Sequence, residues 1–197
     1  MATKWLNHST GSNANTGNSK AQAYLTNAYA ITQTTAGDTI VVVDGTYTSI
    51  TDTYTYGQGR IYMSETYYNY SLTLVPPSPS STAMLTVIID AASVSGRKFL
   101  CSTSSGQTFF YGIWFKNFNY GSANYPAWDI GSGTTTGKVT CTTCAFTGLR
   151  TGSVTDARNT VIIGAGILAN SKFDLQFDAC LFYDNDYNSA GANRSEE

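Results

Sequence analysis

Apolar residues in this chain come in short runs punctuated by Gly, Asn, Asp and Thr. In AGDTIVVVDGTY, residues 36–47, a Gly37-Asp38 turn leads into a β-branched run that stops at a second turn, Asp44-Gly45, and restarts. Runs bounded in this way predict short strands. The same reading predicts strands at residues 71–75, 85–90 and 160–168. Ahead of them the period changes. Ser19-Lys20-Ala21-Gln22 has the form of a capping box, and Ala21, Tyr24, Leu25, Ala28 and Ile31 recur at helical spacing, predicting a short helix with one apolar face. Residues 1–18, rich in Asn, Ser, Gly and Thr, read as an irregular lead-in.

Three later segments, 109–118, 140–149 and 176–185, align on alternating positions. Ile113, Cys144 and Cys180 share one column, and Phe115, Phe146 and Phe182 share another, at offsets of 31 and 36 residues. Self-similarity at that spacing predicts a solenoid in which equivalent positions stack layer on layer. One layer alone would expose both strand edges and a half-built apolar interior; neighbouring layers pair the edges and bury the columns. These six residues are therefore expected in the structural core, the cysteines as small buried hydrophobes. A disulfide between adjacent layers is the alternative for the cysteines. Cys141 and Cys144 form a CxxC, but no second CxxC follows and the single histidine, His8, is distant, so no metal is expected. A β-sandwich is the runner-up fold, since short strands with regular turns fit it as well. The repeated aromatic column favours the solenoid.

The helix followed by AGDTIVVVDGTYT, covering residues 20–48, resembles the entry segment of the pectate-lyase-like β-helix superfamily. That resemblance implies an all-β fold, a right-handed parallel β-helix, with the short N-terminal helix capping the open end and the β-branched run as first rung. The domain organisation that follows is a lead-in at 1–18, one β-helix domain at 19–185 with its cap at 19–34, loop insertions at 51–70 and 119–137, and a polar tail at 186–197. Activity does not follow, because the superfamily holds lyases, hydrolases, adhesins and phage tailspikes alike.

Composition narrows the choice. Charged residues are only 12% of the chain, about half the share in an ordinary domain, and the net charge is −2. Lys and Arg are scattered singly, so neither nucleic acid nor an anionic membrane has a basic patch to meet. No apolar stretch approaches the length of a membrane span, and the N-terminus lacks the apolar run of a secretory signal, which predicts cytoplasmic synthesis. The loop at 51–70 holds six of the fourteen tyrosines. Because Tyr supplies rigid, amphipathic contact area, the expected binding or interface residues are Tyr54, Tyr56, Tyr62, Tyr67, Tyr68 and Tyr70, with Tyr120, Tyr125 and Trp128 from the loop at 119–137.

Catalytic chemistry has little to work with. The resemblance implies that lyases of this type hold calcium with an aspartate cluster and that hydrolases use paired carboxylates. Here the one dense group is Asp174, Asp178, Asp184 and Asp186, which reads as solvated strand faces and turns. His8 has no evident Ser or Cys partner for a triad. No catalytic residue and no cofactor are expected. The function expected is a non-enzymatic virion surface protein of a tailed phage, a capsid decoration protein or small tailspike made in the host cytoplasm. Its expected partners are itself, as a homotrimer, capsid or tail proteins, and cell-surface polysaccharide. A polysaccharide lyase or glycoside hydrolase on the same fold and a bacterial adhesin are the alternatives.

Overall fold

Strand-forming runs that are broken every few residues build narrow sheets from many short strands. A computed structural model describes residues 1–48, 55–57, 59–73, 81–92, 99–102, 106–120, 128–129, 137–151 and 173–187 of the protein. The largest sheet takes β1 (Thr3–Leu6), β2 (Thr39–Val42), β5 (Ile61–Ser64), β8 (Gly106–Tyr111), β12 (Gly137–Thr142) and β15 (Phe173–Asp178), in that order. A second takes β3 (Gly45–Tyr47), β6 (Val87–Asp90), β9 (Ile113–Lys116), β13 (Ala145–Thr147) and β16 (Leu181–Tyr183). Two three-stranded sheets follow: β4 (Thr55–Gly57), β7 (Phe99–Ser102) and β11 (Trp128–Asp129); and β10 (Asn119–Tyr120), β14 (Arg150–Thr151) and β17 (Asp186–Tyr187). Two short helices, α1 (Asn27–Thr32) and α2 (Glu65–Thr73), complete the named elements. Every described pairing is parallel. A β-sandwich of the kind considered above is built from antiparallel pairs, so the runner-up fold is set aside.

One unit recurs. β8, β9 and β10 follow one another along the chain, as do β12, β13 and β14, and then β15, β16 and β17; each strand pairs with its counterpart in the next unit. Single left-handed residues make the corners. Gly112, Thr143 and Ala179 occupy the first corner at φ of 66°, 51° and 49°, and Asn117, Gly148 and Asp184 the second at 56°, 61° and 51°. A side chain in this region costs of order 1–2 kcal/mol, so something must hold the corner. At the Gly148 corner, which carries no side chain, the Asn185 amide donates to the Phe146 carbonyl at 2.9 Å and accepts from the Leu149 N–H at 3.0 Å, tying that corner to the next unit.

Alternation then separates inside from outside. Ile40, Tyr62, Phe110 and Cys141 from the six-stranded sheet, and Val87, Ile89, Ile113, Phe115 and Phe146 from the five-stranded one, share a single buried core. Phe115, Phe146 and Phe182 lie in register on β9, β13 and β16. Their rings stack at centroid distances of 5.3 and 4.9 Å. Cys144 lies buried beside this ladder and Cys180 half-buried.

Several expected elements differ. The lead-in contains β1, which pairs with β2 through all four residues; Leu6 alternates inward and is fully buried. The helix expected from Ser19 is much shorter. Ser19 makes no side-chain cap, residues Lys20–Gln22 form only a 3-10 turn, and α1 starts after Thr26, whose hydroxyl accepts from the Tyr29 N–H. The cause is tertiary. Tyr24 bridges to Leu6, donating to the Trp5 carbonyl and accepting from the Asn7 N–H, so its backbone is committed to a strand neighbour and cannot continue a helix. Arg60, itself buried, closes the far end of α1 by donating to the carbonyls of Ile31 and Thr34.

The strand expected at 71–75 is not formed over its first three residues, which belong to α2. That helix is nucleated from both sides of a corner. The Ser64 hydroxyl accepts from the Tyr67 N–H at 3.1 Å, and the Asp44 carboxylate accepts from the Thr66 N–H at 3.2 Å and its hydroxyl at 2.6 Å. Two acceptors at one N-terminus outweigh local strand preference. The insertion expected at 51–70 is thus largely regular structure, with β4, β5 and most of α2 within it.

Candidate functional site

On the outer face of the six-stranded sheet, register sets two rows. Ile61, Phe109, Thr140 and Gln176 stand opposite one another across β5, β8, β12 and β15, and Met63, Tyr111, Thr142 and Asp178 form the next row. α2 packs against β2 and β5 on this side, which is why Val41, pointing away from the core residues Ile40 and Val42, is still fully buried.

The helix brings its tyrosines to the sheet's aromatics. Tyr67 lies 5.0 Å from Tyr111 and 6.0 Å from Tyr70, centroid to centroid. Tyr111 in turn stacks on Phe109 at 6.2 Å with planes 7° apart, and Tyr68 meets Trp5 edge-on at 5.8 Å. All six rings are partly exposed. Burial, followed by neighbouring Tyr111, Tyr70, Cys144 and Asp178, pushes the Tyr67 phenol up; burial and then Cys144 do the same for Tyr111. Both hydroxyls stay protonated and are hydrogen-bond donors at neutral pH. These rings make an aromatic platform on the outer sheet face, with hydroxyl, amide and carboxylate groups alongside.

The aromatic residues expected to bind divide into four groups. Tyr67, Tyr68 and Tyr70 reach this platform. Tyr56 and Tyr62 do not: both are fully buried in the core, their rings 5.1 Å apart and Tyr62 stacked on Phe110. Those two expectations are corrected, because β4 and β5 point these side chains inward. Tyr120 lies in β10 and Trp128 in β11, while Tyr54 and Tyr125 fall outside the described residues. Sequence reading passed over Trp5, Phe109 and Tyr111. Their parity, opposite to the buried Leu6 and Phe110, was the available signal.

His8 lies in a turn that follows β1, but its side chain is buried. It is 9% exposed, shares a 2.9 Å hydrogen bond between Nε2 and the Tyr56 hydroxyl, and lies edge-on to Tyr47 at 5.3 Å. Burial lowers its pKa to about 4, against an opposing hydrogen bond to the Leu25 backbone. At neutral pH the imidazole is uncharged and enclosed by the fold.

Asp174 stands opposite Lys138 and Asp178 opposite Thr142, Asp184 occupies a left-handed corner, and Asp186 lies in β17. Among the described residues, no group of three or more His, Cys, Asp or Glu side chains is gathered so as to hold a metal ion. Among the same residues, no helix is long and apolar enough to cross a membrane. No family model, curated protein or solved structure matches the chain.

Proposed function

We propose that this chain is a right-handed parallel β-helix of the pectate-lyase-like type that works by binding, as a non-enzymatic surface protein of a tailed phage particle. In that role it is a capsid decoration protein or a short tailspike, made in the host cytoplasm and carried on the virion surface. Its partners are further copies of itself, the capsid or tail proteins beneath it, and polysaccharide on the host surface. The observation that carries the reading is the aromatic platform of Tyr67, Tyr70, Phe109 and Tyr111 on an outward sheet face. Support for the scaffold comes from parallel pairing throughout, the recurring strand–corner–strand unit and the stacked Phe column. Sequestration of His8 in the core supports binding over catalysis.

The test is direct. Purified protein is titrated with bacterial surface polysaccharides and with phage particles lacking surface decoration, following tyrosine fluorescence and co-sedimentation. Saturable binding that weakens at least roughly tenfold in Tyr67→Ser/Tyr111→Ser, a loss matching about 1.4 kcal/mol, supports the reading. Binding that the double variant leaves unchanged, or no binding to either partner, overturns it.

A further inference from the structure

Three of the four cysteines converge at one end of the described sheets. Cys144 directly precedes β13 and Cys180 directly precedes β16. Those strands pair in register from Ala145 opposite Leu181, so the two cysteines stand opposite each other one step earlier. The Leu181 N–H donates to the Cys144 carbonyl at 2.9 Å, closing that step of the ladder. The Cys180 thiol donates to the Cys141 carbonyl, in the neighbouring unit, at 3.3 Å. The Cys144 thiol donates to the carbonyls of Phe110 and Thr142, each at 3.5 Å. Neighbouring strands lie about 4.8 Å apart, inside the roughly 4.4–6.8 Å window of Cα separations that a disulfide spans.

Access separates the three. Cys141 and Cys144 are 0% and 1% exposed, whereas Cys180 is only half-buried. The strand it leads into ends the five-stranded sheet and leaves Leu181, Phe182 and Tyr183 exposed. An oxidant in solution therefore meets Cys180 first, with Cys144 directly beneath as the resolving thiol.

We propose that Cys144 and Cys180 are a modification site, a thiol pair that closes to a disulfide on exposure to a small-molecule disulfide and staples β16 to β13. The Cys180 thiolate attacks one sulfur of oxidised glutathione, forming a mixed disulfide and releasing one glutathione thiol. The Cys144 thiolate then attacks the Cys180 sulfur, forms the Cys144–Cys180 bond and expels the second glutathione. Two protein thiols are oxidised, one glutathione disulfide is reduced to two thiols, and the two protons leave with them. Interaction with the Cys144 side chain and then burial raise the Cys180 thiol above its ordinary range, and burial does the same to Cys144. Closure is accordingly slow at neutral pH and faster in mild alkali.

The full chain carrying Cys101→Ser is incubated overnight with oxidised glutathione at mildly alkaline pH, alkylated, digested and sequenced by tandem mass spectrometry. The expected result is loss of two thiols, fragments joining Cys144 to Cys180, and amide exchange over residues 173–187 slowed roughly tenfold, all reversed by dithiothreitol. The linkage persists in Cys141→Ser and is absent from Cys180→Ser. A Cys141–Cys144 or Cys141–Cys180 linkage, a glutathione adduct that stays on Cys180, or no loss of thiols overturns the proposal; fragment sequencing of the unsubstituted pair decides this even where a serine variant fails to fold.

Discussion

Phe146 and Phe182 stack with centroids 4.9 Å apart and planes 13° from parallel, yet one ring is 1% exposed and the other 40%. The ladder of Phe115, Phe146 and Phe182 therefore has a dry middle and an open end. Dispersion and burial are complete only where a ring has neighbours on both sides.

Truncation at the middle of the ladder should cost far more than at its end. Phe115→Ala and Phe146→Ala are expected to lose about 3–5 kcal/mol, and Phe182→Ala about 1–2 kcal/mol, since much of its ring never leaves water. Chemical denaturation of the three variants checks this; equal losses at all three positions would show that the end of the ladder is covered.

His8 makes stability depend on pH in a defined window. Its folded pKa, about 4, lies below the ordinary 6.5. Above pH 6.5 the ring is neutral in both states and contributes nothing to the pH dependence. Between 6.5 and 4 the unfolded chain takes up a proton that the folded core refuses, so stability falls as pH falls, by up to about 3 kcal/mol. Urea midpoints measured from pH 4 to 8 should rise with pH across this window, and His8→Gln should flatten the curve. Asp38, held low mainly by the backbone N–H groups of Thr35 and Ala2, adds a further loss only below about its ordinary 3.8.

Asp44 holds α2 to the sheets. Its carboxylate accepts from the Thr66 N–H, the Thr66 hydroxyl and the Thr86 hydroxyl. Asp44→Ala removes all three bonds and the negative charge at the helix start, with an expected loss of about 2 kcal/mol. Hydrogen exchange read by mass spectrometry should accelerate over residues 65–73 and leave residues 137–147 unchanged.

Under the proposed function, acidic polysaccharides are bound without turnover. Neither lyase nor hydrolase product should appear, with or without calcium. Release of unsaturated sugars that Asp174→Asn or Asp178→Asn abolishes would replace binding with catalysis.

Assembly gives a separate readout. Under the proposed function, light scattering of the purified chain is expected to show a homotrimer. A monodisperse monomer would remove self-association from the proposed role.

Local pattern alone determined the strand-rich character of the chain and the alignment of Phe115 with Phe146 and Phe182. Alternation and turn residues are properties of a few consecutive positions, and equivalent apolar positions align along the chain without knowledge of their partners. Tertiary structure decided what the same local signals left open. Tyr56 and Tyr62 have the composition of a surface loop, but β4 and β5 aim them into the core, beside His8 and Phe110. The Ser19 capping box was overruled when Tyr24 bridged to Leu6. Residues 65–73 became a helix because Asp44, twenty-two positions before Thr66, lends its carboxylate to the N-terminus. Which side of a strand faces the core, and which of two local preferences prevails, depends on partners distant in sequence, and only the folded chain brings those partners together.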